Sequence, residues 1–259
     1  MKLHVLSDLH VDIDPYDDGL PEADLIVHAG DHSASKWDIL SDPWKGRPRI
    51  YVPGNHEYYG HVWNKYDAHL EAYYAERDPA LMFAGRRRVF VVDGVHFICT
   101  PLWSDIRPAS RKFEISGYKD RVRRNISDFH LVSFEEESGL MRQLLPNDYE
   151  REFEINKVWI SDQIDVARAA GARKIVVVTH FVPSQKLIHP QFPEDLLNGY
   201  FCVNLDRLIF SKSPDMWIFG HTHWSFDILL GNTRMVSNAR GYPREECRAS
   251  FNPDLVLEV

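Results

Sequence analysis

With 259 residues, 44% of them hydrophobic, the chain can bury a sizeable core, and sheet folds of this length are often single domains. Lys and Arg number 30 against 38 Asp and Glu, and the formal charge of −8 gives no global drive toward nucleic acid or an anionic membrane. No apolar run approaches a membrane span, and the cysteines Cys99, Cys202 and Cys247 form no C-x-x-C pair and leave one unpaired, which points to a reducing compartment.

Taken in chain order, residues 3–6 form a first strand-like run, which stops just before Asp8-Leu9-His10. Residues 25–29 form a second, followed by Gly30-Asp31. Residues 49–52 form a third, followed through Pro53 by Gly54-Asn55-His56-Glu57, and residues 62–76 suit a helix. Residues 88–92 and 95–100 flank Asp93-Gly94, a two-residue hairpin signal.

Residues 101–155 break this rhythm. Arg107, Arg111, Lys112, Lys119, Arg121, Arg123 and Arg124 stand against only Glu114 and Asp120, and then Asp128, Glu135, Glu136, Glu137, Asp148, Glu150, Glu152 and Glu154 stand against Arg142 and Arg151. A long irregular connection inside a compact domain is often a lid or binding loop, and basic side chains suit phosphate; a solvated loop whose charges pair with one another is the plain alternative. The expected layout is one domain, 1–259, with a cap or rim insertion at about 101–155.

Helical periodicity is clearest over residues 156–170, where Val158, Trp159, Ile164, Val166 and Ala167 mix with polar residues before Gly171 ends the run. Residues 175–178 form a strand ahead of His180, 205–210 a short helix, and 216–219 a strand running into Gly220-His221-Thr222-His223. Residues 226–230 and 233–237 flank a second hairpin signal, Gly231-Asn232. Pattern alone supports an α/β or α+β layered domain without repeats.

The polar blocks at the ends of these runs are Asp8/His10, Asp31, Asn55/His56, His180 and His221/His223. Open α/β sheets gather functional groups outside the carboxyl ends of their strands, so these separated segments can converge on one crevice. In order and residue type they resemble the calcineurin-like metallophosphoesterase superfamily, with its pattern D-x-H, G-D, G-N-H-(D/E), a lone His after a strand, and G-H-x-H. The match runs from residue 8 to 223.

The resemblance implies a four-layer α/β/β/α sandwich, with two mixed β-sheets flanked by helices. It also implies two divalent metal ions bridged by Asp31. The first would take Asp8, His10, Asp31 and His223, and the second Asp31, Asn55, His180 and His221. Mixed imidazole and carboxylate ligands suit Mn foremost, with Fe, Zn, Co or Ni as alternatives, over an all-oxygen Ca or Mg cage. A hydroxide bridging two such ions is the nucleophile expected to attack phosphorus, and His56 the group facing the leaving oxygen. The protein Ser/Thr phosphatases carry an Asp three residues beyond the bridging Asp to orient that histidine. Here the position is Ala34, so the sequence leaves open what orients His56.

Those phosphatases also have Gly after D-x-H, where this chain has Val11, and R-G after the second acidic block, where it has Ser33-Ala34-Ser35. The expected activity is therefore hydrolysis of a small-molecule or nucleotide phosphodiester. A phosphomonoesterase or protein phosphatase of the same fold is the nearest alternative, and a non-catalytic metal-binding interaction module the more distant one. No membrane partner is expected and no strong nucleic-acid signature is present. Residues 1–6 are too short for a signal-peptide core, and cleavage at a usual distance would remove Asp8 and His10, so the cytoplasm is the expected location.

Arg240, in the segment Ser237-Asn238-Ala239-Arg240-Gly241-Tyr242, and Asp128 and His130, which resemble a short polar motif of a bacterial subgroup, are candidate substrate-side residues. For Arg240, support of its own loop is an equal reading. His28, inside a strand, suits the core, and His32 could support a ligand. The aromatic group Trp37, Trp44, Tyr51, Tyr58, Tyr59 and Trp63 suits core packing, with a ring-binding pocket near His56 as the alternative.

Overall fold

A computed structural model describes residues 1–16, 19–34, 43–108 and 115–259. Ser35, Trp37, Arg111, Lys112 and Glu114 lie outside the described residues, as does the side chain of Cys247.

In chain order the chain forms β1 (Lys2–Leu6), β2 (Leu25–Ala29), β3 (Arg49–Val52), a 3-10 turn at His56–Tyr58, α1 (Trp63–Arg77), β4 (Leu81–Phe83), β5 (Arg88–Val92) and β6 (Val95–Cys99). Then come α2 (Ile115–Asn125), α3 (Asp128–Leu131), β7 (Ser133–Glu135), β8 (Met141–Gln143), α4 (Pro146–Ala169) and β9 (Lys174–Val178). The last elements are α5 (Asn198–Phe201), α6 (Asp206–Lys212), β10 (Met216–Ile218), β11 (Phe226–Leu230), β12 (Thr233–Ser237) and β13 (Val256–Glu258).

One sheet has the order β13-β1-β2-β3-β4 and the other β11-β12-β10-β9-β6-β5, while β7 and β8 pair apart from both. Within the first, β1, β2, β3 and β4 are parallel and β13 is antiparallel; within the second, β6, β9, β10 and β12 are parallel, with β5 and β11 antiparallel at the edges. Both sheets are thus mixed, and the architecture is the expected α/β/β/α sandwich.

The period-2 alternation of a strand explains the packing. Leu3, Val5, Val27, Ile50 and Val52 of one sheet and Phe97, Cys99, Val176, Val178, Met216 and Ile218 of the other form a single apolar layer between the sheets. The alternate residues face outward. Ile98, Val177, Trp217 and Met235 meet helical residues such as Tyr149, Phe153, Ile160 and Ile164. On the outer face of the first sheet, Leu6 and Ile26 meet Trp44. Parallel strands covered on both faces read as continuous apolar runs, as in β2, where every residue is buried.

Both hairpin signals hold: Asp93 and Gly94 have φ of 49° and 73°, the type I′ pattern, and Gly231 opens the second turn with φ 64°.

The expected helix at 156–170 is ten residues too short at its start. It begins at Pro146, whose missing N–H is harmless in a first turn, and the Asp148 carboxylate accepts from Leu145 N at 2.9 Å. Its buried stripe is Tyr149, Phe153, Asn156, Ile160, Ile164 and Ala167, whereas Val158 and Val166 are exposed. The Glu residues at 150, 152 and 154 share this first half with the stripe, and their charge hides the spacing.

Residues 101–155 are accordingly not one irregular loop. They hold α2, α3, the β7-β8 hairpin and the first turns of α4. Some of their charges do pair, as Lys119 with Glu150 at 2.6 Å and Arg142 with Asp148 at 2.7 Å. Among the described residues no carboxylate pairs with Arg121, Arg123 or Arg124, all exposed on α2.

Candidate metal centre

Each polar block leaves the carboxyl end of a strand, and the loops are laced together there. Asp8 N donates to Gly30 O at 2.9 Å, His10 N to Asp31 O at 3.1 Å, and Gly220 N to His180 O at 3.0 Å. The turns are sharp: Asp8, His10, Asp31, His221 and His223 all have positive φ, between 45° and 75°. Such backbone is costly for a side-chain-bearing residue and collects at functional sites. Two glycines are required by close approach. A Cβ on Gly54 would lie 2.1 Å from Asp31 Oδ1 and 2.6 Å from His180 Nε2, and one on Gly30 would lie 2.2 Å from His180 Nδ1.

The result is two donor groups sharing one carboxylate. Asp8, His10, Asp31 and His223 bring ligand atoms within 4.8 Å of one another, as do Asp31, His180 and His221. Asn55 joins the second group, its Oδ1 3.3 Å from His180 Nε2. All of these but His223 are buried.

The hydrogen bonds fix which imidazole nitrogen is left over. His180 Nδ1 donates to Ala29 O at 2.8 Å and His223 Nδ1 pairs with the Glu245 carboxylate at 2.7 Å, so in both the Nε2 atom is the one facing the site. A carboxylate behind a histidine is a common support for a metal ligand. His10 Nε2 and His223 Nε2 lie 3.0 Å apart, and His221 Nε2 is buried without a hydrogen-bond partner. Nitrogen lone pairs converging on one another and on a carboxylate are explained by cations between them. The donor set fits two divalent ions.

Electrostatics agree. Burial holds His10 down to about 3 and His221 well below the usual imidazole range, keeping both neutral. Burial also opposes the charged form of His180, but Asp31, its hydrogen bond and Asp8 outweigh it and push His180 up to about 9. Burial opposes the Asp31 anion as well; His180, His56 and His10 outweigh that and hold its carboxyl well below the usual range. Asp31 thus keeps its negative charge within the cluster.

His56 stands beside the donor groups, its Nε2 3.9 Å from Asp31 Oδ2 and its backbone N donating to Asp31 Oδ1 at 3.0 Å. Tyr242 Oη is 3.1 Å from His56 Nε2, and the Tyr59 ring lies 4.4 Å from that of His56. With Ala34 unable to help, Tyr242 is the polar partner of His56. It comes from the far end of the chain, inside the segment where Arg240 was the candidate.

A cavity of about 630 Å³ opens over the site, lined by Asp31, Asn55, His56, Tyr59, His221, His223 and Tyr242, and further out by Asn125, Ser127, Gln191, Phe192, Asp195, Asn198, Phe201, Arg244, Glu245 and Glu246 among others.

Two of the three substrate-side candidates lie away from it. Arg240 is buried and binds the loop after β1, donating to Leu9 O, Asp14 O and Pro15 O and pairing with Asp14 at 3.0 Å. His130 is exposed, with Nε2 3.4 Å from Arg124 O. Asp128 does reach the cavity wall, but its carboxylate is occupied by protein donors. His28 is buried in the core against Trp44 and His32, and Trp44, Tyr51, Tyr58 and Trp63 are core residues, so among the described members of that aromatic group Tyr59 lies at the site.

Glu57 closes its block structurally. Its carboxylate accepts from His32 N at 2.7 Å, Gly54 N at 2.6 Å and Tyr51 Oη at 2.6 Å, holding the two loops that carry Asp31 and Asn55.

A family model described as calcineurin-like phosphoesterase matches residues 1–225. The chain belongs to this family. Among relatives of known sequence, an uncharacterized protein of Acanthamoeba polyphaga mimivirus is 22% identical over 225 residues, covering 81% of this chain and 73% of its own. Among solved structures, phosphopantetheinyl hydrolase from Mycobacterium tuberculosis has a TM-score of 0.62 at 20% identity, with 95% of this chain and 92% of that chain covered. A putative 5'-nucleotidase from Staphylococcus aureus aligns with a TM-score of 0.46 at 15% identity, over 93% of this chain and 49% of that one. The calcineurin-like fold and a cluster of candidate metal ligands are therefore common ground between family and geometry. Among the described residues, no helix is long and apolar enough to cross a membrane.

Proposed function

We propose that this family member is a binuclear metal-dependent hydrolase acting on a small-molecule or nucleotide phosphodiester. The observation that carries the reading is the pair of donor groups joined at Asp31 with His56 beside them. Asp8, His10, Asp31 and His223 would hold the first ion, and Asp31, Asn55, His180 and His221 the second, with Mn the foremost metal. When bound, such a pair supplies positive charge for the phosphoryl oxygens and a hydroxide nucleophile at neutral pH.

The chain's own groups do the rest. Glu57 fixes the loops carrying the shared carboxylate and Asn55. Burial, with Asp31 and Asp8 near, pushes the Tyr242 phenol up, so it stays protonated beside His56 Nε2, 3.1 Å away. His56 and Tyr242 thus stand together on the open side of the donor groups, where a departing alkoxide needs a proton.

Support for a diester comes from charge. Among the described residues Arg244 is the only Arg or Lys lining the cavity, against Asp195, Glu245 and Glu246 in the same lining. Such a wall suits the single charge of a diester better than the double charge of a monoester, and Phe192, Phe201, Asn198 and Gln191 suit an uncharged arm. The similarly folded phosphopantetheinyl hydrolase is named for a phosphoester group of that kind. In this reading residues 101–155 form a rim of a single domain, since Asn125, Ile126, Ser127 and Asp128 reach the cavity. The buried free thiols of Cys99 and Cys202 suit the cytoplasm. Against a non-catalytic module stands the fact that every donor position is filled.

The test is turnover of bis-p-nitrophenyl phosphate and p-nitrophenyl phosphate by Mn²⁺-loaded protein. The expected result is a kcat/KM for the diester at least about tenfold above that for the monoester, a difference of roughly 1.4 kcal/mol in transition-state stabilisation. A preference for the monoester, or no turnover of either with two ions bound, overturns the reading.

A further inference from the structure

Asp128 is wholly buried, and among the described residues no Lys or Arg pairs with it. A carboxylate in that position is costly unless donors surround it. Four do, from three separate segments, residues 55–59 supplying two of them. Oδ1 accepts from Asn55 Nδ2 at 2.9 Å and Tyr59 Oη at 2.9 Å; Oδ2 accepts from Tyr149 Oη at 2.8 Å and Tyr200 Oη at 2.5 Å. Core packing alone has no need of this arrangement, because an apolar residue bordered by phenylalanines would fill the same space without the desolvation cost.

What the carboxylate does follows from the chemistry of Asn55. A primary amide has a donating end and an accepting end of nearly equal shape, and only the oxygen can serve a cation. Asp128, which only accepts when ionised, binds the NH₂ end and turns Oδ1 toward His180 Nε2, 3.3 Å away. Tyr59 reinforces this: its hydroxyl donates to Asp128 and accepts from Asn55 Nδ2 at 3.1 Å, while its ring packs 4.4 Å from His56. Tyr200, held on the other oxygen, packs 5.2 Å from the ring of His221.

We infer that Asp128 is a positioning residue for the second metal, fixing the Asn55 amide with its oxygen toward the ion and, through Tyr59 and Tyr200, steadying the His56 and His221 rings. The inference rests on the two-ion reading above. It predicts a defect confined to one of two ions, which a general loss of packing would not give.

The test is titration of the metal-free protein with Mn²⁺, following free Mn²⁺ by its electron paramagnetic resonance signal. Wild type is expected to bind two ions. Asp128→Asn, which places an NH₂ against two of the four donors and removes the negative charge, should keep the first site and weaken the second by about 10- to 100-fold, the usual effect of removing a ligand's supporting partner. The reversed pair, Asn55→Asp with Asp128→Asn, restores a donor facing an acceptor and should recover most of the second-site affinity. Should Asp128→Asn fail to fold, Tyr149→Phe removes a single donor from Oδ2 and should weaken the second site alone by severalfold.

Unchanged affinity at both sites in a folded Asp128→Asn protein overturns the inference, as does equal weakening of both sites without recovery in the reversed pair, or an unchanged second site in Tyr149→Phe. Wild type binding fewer than two ions overturns the two-ion reading along with it. Two ions bound without phosphoester turnover overturns the proposed activity alone.

Discussion

Tyr242 Oη lies 3.1 Å from His56 Nε2, and its ring also packs 4.4 Å from that of His10, so one side chain from the last quarter of the sequence touches both histidines on the cavity side of the site. His56 thus has a neutral polar partner, where the resemblance to protein Ser/Thr phosphatases would have supplied an aspartate.

The first prediction follows from that neutrality. His56→Ala should lower kcat by about 10²- to 10⁴-fold for an alkyl leaving group, the range for losing a general acid, and much less for p-nitrophenolate, which needs no proton. Tyr242→Phe should lie between wild type and His56→Ala on the same scale. Bound metal, measured by elemental analysis, should stay at the wild-type value in both. Equal losses for good and poor leaving groups would restrict the pair to placing the substrate.

A second prediction concerns the shared carboxylate. Asp31→Ala should reduce binding of both ions and abolish turnover, whereas His223→Ala should weaken chiefly the first. Chelation of the wild type should abolish turnover and Mn²⁺ should restore it. Full activity of chelator-treated, metal-free protein contradicts the two-ion mechanism outright.

How much of this could be seen in the sequence depends on distance along the chain. Asp8, His10, Asp31, Asn55, His180, His221 and His223 were legible because each follows a strand whose apolar run marks its end, and parallel strands in two sheets carry those ends to the same edge. The contacts behind them were not. Asp128 stood out as a substrate-side candidate and Tyr242 within the segment of Arg240, but Asp128 is 73 residues from Asn55 and Tyr242 is 186 from His56, and no local pattern announces such a contact. Glu245, three residues past Tyr242, supports His223 from a turn with no periodicity. Arg240 illustrates the converse: a cation in a suggestive segment is consumed by the backbone of residues 9–15.

The third prediction is a pH dependence of metal uptake. With His180 at about 9 in the metal-free protein, its imidazolium is present at neutral pH, and an ion can bind only by expelling that proton. His223 is also raised, burial being outweighed by Glu245 and Asp8, while His10 and His221 are already neutral. Mn²⁺ affinity should therefore rise with pH between 6 and 8, by about tenfold per unit for each proton released, and level off as pH passes about 9. Calorimetry in buffers of different ionisation enthalpy should show at least one proton released, and imidazole resonances of the metal-free protein should place the His180 titration near 9. Affinity independent of pH over that span would mean that His180 is neutral before binding.

The last prediction concerns α2. Arg121, Arg123 and Arg124 are exposed and have no carboxylate partner among the described residues, although the chain as a whole carries a charge of −8, and the helix ends at Asn125, on the cavity wall. An unpaired cationic helix end beside a site with few cations of its own is suited to drawing in an anionic phosphoester before it meets the metals. Replacing all three arginines with glutamine should raise KM for a charged, nucleotide-like diester by severalfold while kcat and bound metal stay near wild type, since the lost interaction is the same in ground and transition states. A small aryl diester should feel the change less. Added salt should shrink the difference, because exposed charges are screened beyond about 8–10 Å near physiological ionic strength. KM values unchanged for every phosphoester turned over, at low salt as well as high, would reduce these arginines to the solvated face of a helix.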